Sequence, residues 1–109
     1  MPDILYLSKP VEEIMETWLG DTVNFTMPLK DKDGNAVDLT EWTARLVCSD
    51  MDKRQLFTID AEVIEDGAKF KFLKEDWDSS LTDGSYTYKL ITTGPDGTYT
   101  VLYGEYKIH

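Results

Sequence analysis

The stretch Asp83-Gly84-Ser85-Tyr86-Thr87-Tyr88-Lys89-Leu90 sets a turn signal ahead of three residues of one strand parity: Tyr86, Tyr88 and Leu90. Thr87 and Lys89 alternate with them, the period-two pattern of a strand with one face in a core and one in water. Downstream, Leu90-Ile91-Thr92-Thr93 runs into Gly94-Pro95-Asp96-Gly97 and returns over residues 98–102. Tyr99, Val101 and Tyr103 share one parity there, so a hairpin is predicted.

Working outward, Asp-Gly pairs recur at Asp33-Gly34, Asp66-Gly67 and Asp96-Gly97. Asp-Gly supplies the positive φ that tight turns demand, and between alternating segments it marks hairpins. Val23, Phe25, Met27 and Leu29 alternate with Asn24, Thr26 and Pro28. Phe70 and Phe72 alternate with Lys69 and Lys71, and Phe57, Ile59, Ala61 and Val63 keep one parity. Pro28, which has no N–H to donate, predicts an edge strand. Residues 74–81 are predicted to form a short helical turn with Trp77 and Leu81 facing inward. Residues 10–19 fit helical spacing through Val11, Ile14, Met15, Trp18 and Leu19, but Ile14, Glu16 and Trp18 also share a strand parity. Extended, partly edge structure is preferred. The division is an N-terminal arm or first strand over residues 1–19 and one β-domain over residues 20–109.

The chain has 109 residues, enough for one hydrophobic core. Eleven basic residues against 21 acidic ones leave a formal charge of -10. Such a surface is repelled by nucleic-acid backbones and by anionic membranes, so neither is an expected partner. The N-terminus lacks the basic and apolar regions of a signal peptide, and no apolar run approaches membrane-spanning length. Synthesis in a cytosol is expected. Cys48 stands alone in an apolar stretch and reads as a small buried hydrophobe.

No motif calls for a catalytic residue, a cofactor or a metal. Asp31-Lys32-Asp33-Gly34-Asn35 opens like a calcium loop, but the twelfth position is Trp42 where a bidentate acid is needed, so a polar turn is expected. Carboxylates are plentiful, yet a chain this short leaves little material for the walled cleft of a glycosidase. The aromatics have two readings. Tyr86, Tyr88, Tyr99 and Tyr103 fall on apolar parity, where cross-strand aromatic pairs stabilise sheets. Trp18 and Trp42 are the candidate exposed aromatics for the alternative, a carbohydrate- or surface-binding module.

Several short strands with turn signals at near-regular spacing argue for an all-β sandwich of about seven to eight antiparallel strands. In immunoglobulin-like sandwiches a tyrosine near the start of strand F closes the preceding corner with its hydroxyl. Tyr86 is the candidate for that fold-closing corner, with Tyr88 where a disulfide-bonded domain has its cysteine. The larger order also resembles a known group. Gly20-Asp21-Thr22-Val23-Asn24-Phe25 and Asp33-Gly34-Asn35-Ala36-Val37-Asp38-Leu39-Thr40 open it. Tyr86-Thr87-Tyr88, Asp96-Gly97 and Leu102-Tyr103-Gly104-Glu105-Tyr106-Lys107-Ile108 close it. This resembles the small immunoglobulin-like domains of tailed-phage virion proteins, including the N-terminal domain of phage baseplate upper proteins.

The resemblance covers roughly residues 20–108. It implies a non-enzymatic structural or assembly component of a bacteriophage particle, in tail, baseplate or neck. Its partners would be other virion proteins or its own copies, and the virion its location after synthesis in the host. Baseplate upper proteins continue into long oligomerising regions. This chain, ending with the domain, is expected to be a self-contained accessory protein. Ile4, Leu5, Tyr6 and Leu7 are the candidate interaction arm, since terminal segments stay free until a partner ties them down. The expected core comprises Phe25, Met27, Leu29, Leu46, Phe57, Ile59, Phe70, Phe72, Tyr86, Tyr88 and Val101.

Overall fold

The structure, a computed structural model, describes residues 5–7, 9–19, 21–52, 54–74, 82–95 and 97–109. These form eleven strand segments and one 3-10 turn: β1 (Leu5–Tyr6), β2 (Val11–Glu12), β3 (Met15–Thr17), β4 (Val23–Met27), β5 (Leu29–Lys30), β6 (Thr43–Ser49), β7 (Gln55–Asp60), β8 (Glu62–Ile64), β9 (Lys69–Lys74), β10 (Gly84–Gly94) and β11 (Gly97–Ile108), with the turn at Glu65–Gly67. The expected all-β class holds. Among the described residues no helix is long and apolar enough to cross a membrane.

A six-stranded sheet has the order β2-β11-β10-β6-β7, with β3 also on β11, and a three-stranded sheet has the order β4-β9-β8. Two expectations are corrected here. The strands are not all antiparallel: β1 runs parallel to β5, and β2 and β3 run parallel to β11. The segments number eleven instead of seven or eight, because the N-terminal third is cut into short pieces. β2 and β3 keep one offset against β11, Leu102 with Val11 and Tyr106 with Met15, so they act as one strand interrupted at Glu13 and Ile14, the first strand of the large sheet and called the first strand below. The predicted helical turn lies outside the described residues, apart from Lys74, which ends β9.

Period-two alternation explains the core. β6 buries Ala44, Leu46 and Cys48, and β10 buries Tyr88, Leu90 and Thr92. β9 adds Phe70 and Phe72, while β4 and β5 add Met27 and Leu29. Side chains of both sheets join in one cluster, against which Phe25 and Tyr86 pack half-buried. Phe25 pairs with Phe72 across the strands, rings stacked at 4.8 Å. Buried aromatics of this kind stabilise by about 2–3 kcal/mol each, which suits a domain with no disulfide. Pro28 falls where β4, an edge strand, ends and β5 takes up pairing with β1. With no N–H it cannot extend the ladder to β9.

Two placements differ from the expectation. A register shift at Leu90/Ile91 opposes Leu90 to Leu102 and Ile91 to Thr100, leaving Val101 as the extra residue of a bulge. Val101 and Leu102 are therefore both buried, and beyond the bulge the inward set becomes Leu102, Tyr106 and Ile108. Tyr103, expected inside, is turned to the outer face beside Glu12 and Lys89. Trp42, expected exposed, is only 8% accessible. It lies across Gly94, where any Cβ would sit 2.3 Å from the indole, and its ring is tilted against Tyr99.

Candidate interaction surface

Three features of the first strand decide what the large sheet offers at its margin. Residue 13 crosses Gly104, whose φ is +148° and whose missing side chain leaves room for the Glu13 carbonyl; a Cβ there would stand 2.4 Å from it. The Tyr88 hydroxyl donates to that carbonyl at 2.7 Å, and the Thr17 hydroxyl donates to the Tyr106 oxygen at 3.1 Å. Two buried tyrosine oxygens thus find partners on the first strand and fasten it over the core, as buried polar atoms require. Met15, between residues 13 and 17 in the chain, is buried in the core.

The chemistry of the fastening shows in its acid–base behaviour. Burial, then the neighbouring Glu13 charge, raises the Tyr88 pKa above the ordinary tyrosine range. Burial raises Tyr106 as well, against the opposing pull of the Thr17 hydrogen bond. Cys48 is fully buried as expected, and desolvation pushes its thiol up to about 12, so it is inert as a nucleophile near neutrality.

The backbone of the first strand faces two ways. The Glu13 N–H donates to the Tyr103 carbonyl, the His109 N–H to the Thr17 carbonyl, and the Leu19 N–H to the His109 carbonyl. In a parallel ladder a residue's N–H and C=O point to the same side and alternate residues point to opposite sides. Ile14 and Glu16 therefore turn their backbone groups away from β11 and off the sheet. Their side chains and that of Trp18 lie on the outer face, with Ile14 54% and Trp18 57% exposed. Trp18 rests against the His109 ring at 5.2 Å, and Glu16 Oε2 lies 3.4 Å from His109 Nε2.

Inward from this edge, the outer face carries a groove of about 690 Å³ bordered by Glu12, Val47, Thr87, Lys89, Ile91 and Tyr103. The register explains the grouping, since Lys89 is opposite both Tyr103 and Val47 and Tyr103 is beside Glu12. A smaller hollow of about 580 Å³ continues past Val47 and Ile91 to Arg45 and Asp60, whose side chains pair at 2.9 Å.

The residues singled out in the sequence scatter over the molecule. Ile4 lies outside the described residues. Leu5 and Tyr6 pair with β5, and half-buried Leu7 packs on the core with its N–H donating to the Lys30 carbonyl at 3.0 Å. The described part of the candidate arm, residues 5–7, thus lies against its own chain. Tyr86 donates its hydroxyl to the Thr82 carbonyl, four residues upstream, at 2.7 Å. Trp18 and Trp42 are not brought together: one is at the sheet margin and the other inside. Asp31 Oδ1 accepts the N–H groups of Asp33 and Asn35, closing a polar turn. Among the described residues no cluster of three His, Cys, Asp or Glu is placed to hold a metal ion.

Sequence reading missed Ile14 and Glu16 as members of a site, although the parity they share with Trp18 was the signal for it. The groove around Tyr103 had no signal, because its outward turn follows from the bulge. No family model and no curated protein matches the sequence.

Proposed function

We propose that this chain is a non-enzymatic structural or assembly component of a bacteriophage particle, built on an immunoglobulin-like sandwich and acting through protein–protein contacts. The observation that carries the contact role is the margin of the first strand, where exposed apolar side chains accompany backbone groups turned away from the sheet. Apolar side chains at an open edge recruit another chain, and proteins without a partner blunt such edges. The phage setting rests on the sequence resemblance.

Strand order supports the fold part of this reading. In immunoglobulin-like domains strands B, E and D share one sheet, and G, F and C, extended by C′ in variable types, share the other. β4-β9-β8 and β11-β10-β6-β7 follow that order in both space and sequence. The Tyr86 bond to the Thr82 carbonyl has the geometry of the corner tyrosine at the start of strand F. The chain departs from the plan at its first strand, which joins β11 instead of the smaller sheet. The carbohydrate-binding alternative requires coplanar exposed aromatics, and the placement of Trp18 and Trp42 does not favour it.

The test is to purify particles by density gradient from lysed cells carrying the gene and to probe the fractions with an antibody to this chain. Cosedimentation, with gold label at a discrete place on intact particles, is the expected result. Recovery of the chain only in the soluble fraction rejects the virion assignment.

A further inference from the structure

We infer that the open edge over residues 14–18 receives an extended segment of a basic partner protein, which sets apolar side chains against Ile14 and Trp18 and a lysine or arginine against Glu16. The inference rests on the contact role proposed above and names the partner's chemistry. Strand addition draws affinity from main-chain hydrogen bonds and specificity from alternate side chains. Ile14 and Glu16 present their N–H and C=O groups for this, with the Trp18 N–H beyond them, while the Trp18 carbonyl already accepts from Asp21.

Three of the five exposed large hydrophobics among the described residues, Ile14, Trp18 and Leu19, fall within this one margin. Beside them a cleft of about 630 Å³ is lined by Glu12, Glu13, Ile14 and Glu105. Lys107 lies 3.5 Å from Glu105 and His109 lies against Glu16, so carboxylates outnumber cations along this rim.

That excess selects the occupant. A second copy pairing antiparallel about Glu16 would set Ile14 against Trp18, which is favourable, but would oppose Glu16 to Glu16 and bring together two chains of charge -10. Like charges directly opposite destabilise a strand pair. A segment with apolar, basic and apolar residues at alternate positions meets Ile14, Glu16 and Trp18 with neither penalty, and attraction to the rim speeds its encounter.

The probe is the capped peptide Lys-Val-Thr-Lys-Thr-Val-Lys, whose order is the same in both directions and so tests parallel and antiparallel addition alike. It is titrated into the 15N-labelled full chain at low salt. Shifts at the Ile14, Glu16 and Trp18 amides, weakening as salt is raised, are expected. Glu16→Pro removes an outward N–H without touching the bonds to β11 and should weaken binding at least tenfold. Glu16→Gln should weaken it severalfold, and a peptide with glutamate in place of lysine at least tenfold. Trp18→Lys, at an exposed side chain, carries the same expectation should Glu16→Pro fail to fold.

Equal binding to wild type and Trp18→Lys, shifts confined to β7, or no shift at millimolar peptide would overturn the inference. So would a dimer, seen by light scattering across a concentration series, that Trp18→Lys abolishes, since the occupant is then a second copy. Peptide binding by a chain missing from purified particles would remove the virion assignment alone. A chain found on particles that ignores the peptide would remove the edge inference alone.

Discussion

The large sheet has two margins, and they solve the same physical problem in opposite ways. At one, β7 leaves the backbone of Thr58 and Asp60 outward, because the Ala61 N–H donates to the Ala44 carbonyl and the inward residues alternate from there. Among the described side chains its outer face carries Thr58 and Asp60, the latter paired with Arg45, while Phe57 and Ile59 are buried. A charged, polar margin discourages addition of another strand. At the other, the first strand shows Ile14 and Trp18 and is fastened from below by Tyr88, Tyr106 and Gly104. One margin is defended by its surface chemistry. The other is tied to the core beneath it and exposes Ile14 and Trp18 around Glu16, as the proposed docking edge requires.

The largest expected effect breaks the fastening. Gly104→Val places a side chain against the Glu13 carbonyl at a φ that L residues rarely adopt. It should cost about 3 kcal/mol in urea unfolding and open residues 11–19 to limited proteolysis. A loss under about 0.5 kcal/mol would mean that the close approach does not hold the strand.

Alkali comes next. The folded-state pKa values of Tyr88 and Tyr106 lie above the ordinary tyrosine value of 10.0, so the unfolded chain releases these protons first. Their contribution is present below about pH 10 and is lost as pH rises. Cys48 acts in the same sense from 9.0 toward about 12. Urea unfolding at a series of pH values should show stability falling above pH 9, with a shallower slope in Tyr88→Phe. An unchanged slope in that variant would separate the hydroxyl from the effect.

At neutral pH, Tyr88→Phe leaves the Glu13 carbonyl without the hydroxyl's hydrogen bond and should cost about 1 kcal/mol. Faster hydrogen exchange at Leu19 and His109 should accompany it, with the β6–β7 ladder unchanged. Equal acceleration in both ladders would mean global loosening instead of release of one margin. The smallest effect belongs to β7. Arg45 and Asp60 are both more than half exposed, so Arg45→Ala should change stability by less than about 0.5 kcal/mol. A larger change would show that the defended margin is also structurally tied.

The legibility of these features follows the range of the interactions behind them. Alternation in residues 84–90 foretold the inward Tyr88 and Leu90, and the isolated Cys48 was correctly placed inside, because one face of a strand is decided by its neighbours two residues away. Leu39 and Trp42 were missed: they are buried from a loop with no period, against Gly67 and Gly94. The shared parity of Ile14, Glu16 and Trp18 was visible, but not that their strand would lie parallel on β11.

By itself, then, the sequence determined a disulfide-free all-β chain, its long C-terminal hairpin, about half of its buried apolar core and its acidic character. Each of these depends on local periodicity, turn chemistry or composition. The tertiary structure alone decided that the first strand joins the last, that a bulge at Val101 turns Tyr103 outward, and that the apolar residues at positions 14 and 18 stay exposed beside outward-turned backbone. Those outcomes depend on which distant strands meet and in what register. Period two leaves both open, because the same alternating strand satisfies either neighbour and either direction.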